Sequence, residues 1–193
     1  VSAVRCITSH NIRIPHDIKG CADGIFSLTQ GRELKSVLIF SPPGLGKTTM
    51  LRDLARKLGH VNNVLIFDER NEIGAADSEG DGYVLGERCG IVRGGDKLTA
   101  FSCAIRAMKP QVIITDELYG ERDFAAVNFA ADCGIAVCAS THVTDLHKLN
   151  GLPFDYFCRL TGIGEKVIVY DKNFDIVRDN CGDDGGWGAA FGR

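Results

Sequence analysis

Short aliphatic runs alternate along the chain with stretches in which apolar residues recur every three or four positions. The runs at 37–40, 64–67, 112–114 and 135–139 are of strand length and apolar throughout, as strands covered on both faces must be. Between them, 49–58 places Met50, Leu51, Leu54 and Leu58 on one helical face, and 98–108 does the same with Leu98, Phe101, Ile105 and Met108. A third helix is expected over 122–133. The alternation predicts an α/β fold, a mostly parallel sheet flanked by helices. Beyond Gly151 the runs 156–160, 167–170 and 174–177 are separated by Gly162-Ile163-Gly164-Glu165 and Lys172-Asn173, which predicts an antiparallel strand addition at the carboxyl end.

Residues 1–35 carry shorter β-type runs, 4–7 and 11–14, among turn formers and basic residues, and finish in Ile25-Phe26-Ser27-Leu28. They are expected to be a linker, the end of an amino-terminal region preceding Val1. The folded domain is expected over 36–178. The tail 179–193, glycine-rich and without periodicity, is expected to be disordered. Residues 69–97 are long and glycine-rich for a simple connection, so active-site groups are expected there.

Composition narrows the class. With 193 residues, 45% of them hydrophobic, the chain can form a core without disulfide or metal staples, and it is too apolar for intrinsic disorder. A formal charge of −3 provides no global attraction to nucleic acid. The 8 cysteines include no C-x-x-C pair and no zinc-like spacing with histidine, so they read as reduced thiols, with Cys103 and Cys138 as small hydrophobes inside apolar segments. The stretch 129–140 carries Asp132 and falls short of the about 20 residues a membrane helix needs. No signal peptide is visible.

The chemistry concentrates at the ends of the strands. Ser41-Pro42-Pro43-Gly44-Leu45-Gly46-Lys47-Thr48-Thr49 follows a strand and opens a helix, the context of a phosphate-binding loop. Its backbone N–H groups would cradle phosphates, Lys47 would reach the β- and γ-phosphates, and the Thr48 hydroxyl would bind Mg²⁺. Ser41 stands where the strict pattern has its first glycine. The run 112–115 ends in Asp116-Glu117, with Asp116 placed for the Mg²⁺ shell and Glu117 for polarising the attacking water. A helix, a strand and a second helix fit between Lys47 and Asp116, an arrangement resembling the RecA and AAA+ side of the P-loop proteins. The run 64–67 ends in Asp68-Glu69-Arg70-Asn71-Glu72-Ile73, acids where open α/β sheets bind ligands, and at least one of them is expected to act. Thr141 and His142 read equally as γ-phosphate sensors or as satisfied surface groups. Arg70 and Arg88 are candidates for a charge-completing arginine.

This order of motifs resembles the ATPases of type II and type IV secretion, where they are the Walker A, Asp-box, Walker B and His-box. The resemblance is closer still to the stage III sporulation protein AA family. It rests on 41–53 and 68–73, on Asn11-Ile12-Arg13-Ile14 and Lys19-Gly20-Cys21-Ala22-Asp23, and on Ala104-Ile105-Arg106-Ala107-Met108-Lys109-Pro110. Leu45 stands where that family often has cysteine, Asn71 where it often has serine, and Arg88-Cys89-Gly90 where Arg-Thr-Asp is usual. The resemblance implies an ATP- and Mg²⁺-dependent hexameric ATPase, cytoplasmic in the mother cell of an endospore former and peripheral to the inner membrane. It would energise a membrane-embedded, secretion-like channel into the forespore without binding nucleic acid directly. It also implies that Asp68 and Glu69 belong to the nucleotide site.

Two other readings remain open on sequence. A RecA-like nucleic-acid motor would use Arg52, Arg56, Lys57, Arg88, Arg93 and Lys97 as a basic surface, although aromatics interleaved for base stacking are missing. A nucleotide-bound scaffold that barely hydrolyses ATP is the other, and Glu117 argues against it.

Overall fold

The helix α1 (Asp23–Thr29) and the strand β1 (Val37–Phe40) lead into α2 (Lys47–Val61), β2 (Val64–Phe67) and β3 (Cys89–Val92). There follow α3 (Lys97–Met108), β4 (Val112–Thr115), α4 (Glu121–Asp132), β5 (Ala136–Thr141), β6 (Tyr156–Leu160), β7 (Val167–Asp171) and β8 (Ile176–Arg178). This computed structural model describes residues 17–75 and 82–178. The runs at 4–7 and 11–14, Cys6, Cys181 and the glycine-rich tail lie outside the described residues.

One 8-stranded sheet has the order β3-β2-β4-β5-β1-β6-β7-β8. From β3 through β6 neighbouring strands are parallel, and β7 and β8 continue antiparallel. The fold is therefore the expected mostly parallel α/β sheet with an antiparallel addition. β1, β2, β4 and β5 are buried at every position because helices cover both faces. Alternate residues divide the core in two. Val37, Ile39, Ile66 and Ile114 pack with Met50, Leu51, Leu54 and Leu58 of α2 and with Ile25 of α1. Leu38, Phe40, Phe67 and Ile113 pack with Phe101 of α3 and with Ala126, Val127 and Ala130 of α4.

Leu54 lies wholly inside the first of these clusters. Leu54→Ala is expected to remove about 2–5 kcal/mol of stability, the usual loss for a buried leucine. Urea unfolding should show it as a lower midpoint with an unchanged slope.

The order β4-β5-β1 inserts β5 between the strand that leads into the Lys47 loop and the strand that ends at Asp116. The carboxyl ends of these strands, and of β2, open on the same edge of the sheet, where ligands bind in folds of this type.

Two elements differ from expectation. The apolar piece 25–28 belongs to α1, within the segment expected as a linker. Asp53 on α2 accepts a hydrogen bond from the Ala22 N–H at 2.9 Å, and this anchors the start of α1 and turns Ile25 into the core. The segment 69–97 contains the edge strand β3, whose Cys-Gly-Ile-Val sequence has no aliphatic run to announce it. Backbone contact builds it: Arg88 N–H donates to Gly59 O at 2.9 Å, and a Cβ at Gly86 would lie 2.2 Å from the Gly59 carbonyl carbon. Only glycines allow α2 and this segment to meet so closely.

The cysteines divide. Cys21, Cys138 and Cys158 are buried, and burial pushes the Cys21 and Cys138 thiols up to about 12. Cys103 is exposed, contrary to the expectation of a core thiol, because it falls on the outer face of α3. Among the described residues no helix is long and apolar enough to cross a membrane.

Candidate functional site

The loop leaving β1 curls because Gly44 and Gly46 take φ of 83° and 85°. A side chain is strained in that left-handed region, whereas a Cβ at Gly44 would meet nothing within 4 Å, so conformation and not space requires glycine there. Gly46 caps α2, whose first-turn N–H groups have no acceptor within the helix and present positive potential to the loop.

Lys47 is almost fully buried, and its side chain folds back across the loop. Its Nζ donates to Ser41 O at 2.8 Å and to Pro42 O at 2.9 Å, and lies 3.2 Å from Ser41 Oγ. The same ammonium meets His142 Nδ1 at 2.9 Å. An ammonium only donates, so Nδ1 accepts and the imidazole proton sits on Nε2. That nitrogen faces Glu117 Oε1 at 3.7 Å. His142 therefore stands between the lysine and the carboxylate.

Thr48 Oγ1 donates to Asp116 Oδ2 at 2.9 Å. The other Asp116 oxygen accepts from Ser140 Oγ at 2.5 Å and from the Glu117 N–H at 2.9 Å. Glu117 turns off the end of β4 with φ 46°, a conformation that costs a non-glycine residue about 1 kcal/mol or more and needs surrounding contacts to hold it. Ser140 supplies two of them, accepting from Glu117 N–H at 3.2 Å through its hydroxyl and from Leu118 N–H at 2.7 Å through its carbonyl. The Glu117 carboxylate meets Arg70 Nη1 at 2.6 Å.

These groups border one cavity of about 830 Å³, lined among others by Gly44, Lys47, Thr48, Asp116, Glu117 and His142. Pro43, Gly46, Thr49 and Arg70 line it as well. Thr48 and Asp116 offer a hydroxyl and a carboxylate oxygen side by side. That suits Mg²⁺, which takes one or two protein oxygens and completes its shell with phosphate and water. Among the described residues no cluster of three or more His, Cys, Asp or Glu forms a metal cage.

Several expected site residues stand elsewhere. Asp68 is buried and turned onto its own loop, accepting from Glu72 N–H at 2.8 Å and Gly74 N–H at 2.7 Å. It organises the loop that carries Arg70 and does not line the cavity. Glu69 points to Lys97 Nζ at 3.3 Å. Leu45 packs against the core under the loop. Thr141 is buried and its hydroxyl donates to Leu118 O at 3.0 Å, so of the pair only His142 enters the site.

Arg88 lies at the opposite edge of the sheet. It precedes β3, whose first residue pairs with Val64 at the start of β2, and its Nη1 donates to Val61 O at 3.1 Å. A four-residue strand spans about 13 Å, and this separates Arg88 from the site of its own chain.

Three contributors have roles that no local motif announces, although Arg52 falls in the family-like run 41–53 and both Arg52 and Lys97 read from sequence only as a basic surface. Ser140 is an ordinary strand serine until β5 is known to lie beside β4. Lys97 is a buried lysine at the start of α3, with the Phe67 ring 5.8 Å from its Nζ. Arg52, one turn into α2, donates to the carbonyls of Ile73, at 2.9 Å, and of Glu72, and stacks over Tyr83 at 3.9 Å. Burial lowers its guanidinium from the ordinary value, but arginine stays charged. It thereby fastens the loop after β2 to the helix that follows the Lys47 loop.

The chain is similar to known proteins both in sequence and in fold. The family described as sporulation stage III, protein AA matches residues 1–175. The stage III sporulation protein AA of Bacillus subtilis is 31% identical over 94% of this chain and 66% of its own length. The solved structure of the Legionella pneumophila ATPase DotB aligns with a TM-score of 0.54 at 17% identity, covering 80% of this chain and 46% of that one. The pilus retraction motor PilT with bound ADP also gives 0.54 at 17% identity, over 73% and 46%. The chain thus spans slightly under two thirds of the Bacillus relative and about half of each solved chain. The two solved structures share the fold of this chain, and by sequence the chain belongs to the sporulation stage III protein AA family.

Proposed function

We propose that this chain is the catalytic part of a Mg²⁺-dependent ATPase that works as a homo-hexamer and drives a secretion-like membrane complex during endospore formation. The observation that carries this reading is the convergence of Lys47, Thr48, Asp116, Glu117, His142 and Arg70 on one cavity at the carboxyl ends of β1, β4, β5 and β2. A protein that needed only to turn from strand to helix would have no use for a buried lysine bonded to a histidine beside a cavity that two carboxylates also line.

Within this reading, the N–H groups of residues 43–49 and the Lys47 ammonium hold the phosphates of ATP. Thr48 and Asp116 would hold Mg²⁺, which neutralises phosphate charge. Glu117 accepts the proton of the attacking water. The His142 Nε2–H is a donor that can sense the terminal phosphate while its Nδ1 stays tied to Lys47. Arg70 adds the positive charge that a transferring phosphoryl group requires. Its exposure, and its exposed pairing with Glu117, leave it free to exchange a contact worth under about 1 kcal/mol for a phosphate. Membership of a sporulation family supports placement in the mother-cell cytoplasm at the inner membrane and coupling to membrane-embedded channel proteins.

Arg88 cannot complete the site of its own chain and could serve only in that of an adjacent subunit. Turnover per subunit across a protein concentration series separates the two arginines. Arg70→Ala is expected to lower turnover about 10³-fold or more at every concentration, the lower range for an arginine finger. Arg88→Ala should match wild type in dilute protein and fall behind only as subunits assemble. A rate independent of concentration, with both variants at wild-type turnover, would remove both from the chemistry. Stimulation of turnover by DNA or RNA would favour the RecA-like motor instead.

A further inference from the structure

The Lys97 side chain is 6% exposed, and its ammonium lies within reach of three acceptors from three different segments. It donates to Asp123 Oδ2 at 3.0 Å on α4, to the Glu117 carbonyl at 3.2 Å after β4, and to Glu69 Oε2 at 3.3 Å in the loop after β2. Three protons meet three acceptors. We propose that Lys97 is a positioning residue, a buried cation that fixes the peptide of Glu117 and so aims its carboxylate into the cavity. This rests on the reading of Glu117 as the base.

The geometry supports the assignment from both sides of the Glu117 peptide. On the amino side Asp116 and Ser140 accept its N–H, and on the carboxyl side Lys97 binds its carbonyl. The left-handed φ of 46° is thereby held at both ends. The same Asp123 oxygen that accepts from Lys97 also accepts Tyr119 N–H at 2.7 Å, so the segment from Glu117 to the start of α4 is tied to one carboxylate. Glu69 stands beside Arg70, which pairs with the Glu117 side chain. Lys97 therefore joins the backbone that carries the base to the loop that carries its arginine, without lining the cavity itself. Glu117, like Asn71 and Ala75 of the cavity lining, is held in a left-handed conformation, and of these three it is the carbonyl of Glu117 that Lys97 binds.

A misplacement of about 1 Å can cost on the order of 10²-fold in rate while leaving ligand affinity intact. Lys97→Met is therefore expected to lower kcat for ATP about 10- to 100-fold with the Kd for a fluorescent ATP analogue close to wild type, and to lower the Tm as well, since Asp123 loses its buried cation. Lys97→Arg should restore part of the rate. In a Glu117→Gln background, Lys97→Met should slow turnover no further, since its effect passes through that side chain. Wild-type kcat in Lys97→Met, or losses that multiply in the double variant, would overturn the proposal. Glu117→Gln at full wild-type turnover would instead overturn the assignment of the base on which it rests. Should Lys97→Met fail to fold, Glu69→Gln decides, because Glu69 is exposed: a kcat lower by about 3- to 10-fold at unchanged Kd is expected, and wild-type kcat would overturn the proposal.

Discussion

Lys47→Ala is expected to weaken ATP binding about 10²- to 10³-fold. The loop's N–H groups and the start of α2 carry only partial charges, whereas Lys47 carries the one full positive charge within the loop. Taking a charge partner away from a buried, paired group typically costs about 3–5 kcal/mol, and about 1.4 kcal/mol corresponds to a tenfold change in Kd. The substitution also removes the donor that Ser41 O, Pro42 O and His142 Nδ1 share, so some stability goes with it. Lys47→Met keeps the aliphatic stem and separates the two effects. Titration of a fluorescent ATP analogue beside thermal unfolding reads both, and unchanged affinity in a folded variant would mean that the loop is only a turn.

Glu117→Gln is expected to retain ATP binding and to slow hydrolysis about 10²- to 10⁴-fold, the range for loss of a positioned general base. Glutamine preserves size and keeps the backbone bonds to Asp116 and Ser140, so the change falls on the charge alone. Asp116→Asn acts elsewhere. It alters the oxygens bonded to Thr48, Ser140 and the Glu117 N–H, and should shift the Mg²⁺ requirement itself. Single-turnover hydrolysis across a Mg²⁺ series distinguishes them. If both variants behave alike in binding and in turnover, the division of roles between the carboxylates is wrong.

The parts of the fold legible in the sequence were those whose burial leaves a pattern. The aliphatic runs of β1, β2, β4 and β5 are covered on both faces and the apolar face of α2 is buried, so these elements lie within a few residues of expectation; α3 does too, although of its expected face only Phe101 is fully buried and Leu98 and Met108 are exposed. β3 left no such mark, because a short edge strand containing Cys89 and Gly90 is formed by what passes beside it. α1 was hidden likewise: its register is set by Asp53, distant in sequence.

The site divides along the same line. Lys47, Thr48, Asp116 and Glu117, which the structure brings to one cavity, are candidates that local patterns at strand ends announce. Ser140, Arg52 and Lys97 act through contacts across the sheet order and between loops, which no local spacing encodes. Asp68 shows the opposite case. An acid at a strand end reads as a ligand for substrate, yet two N–H groups of its own loop take both of its oxygens.

Phosphate release from ATP, measured per subunit while Mg²⁺ is titrated and at protein concentrations that permit self-association, tests the central claim most directly. Release is expected to be at background without Mg²⁺, to rise and saturate as Mg²⁺ is added, to increase per subunit with protein concentration, and to collapse in Glu117→Gln. Tight ATP binding with release at background for every Mg²⁺ and protein concentration would contradict an ATPase and leave a nucleotide-bound scaffold.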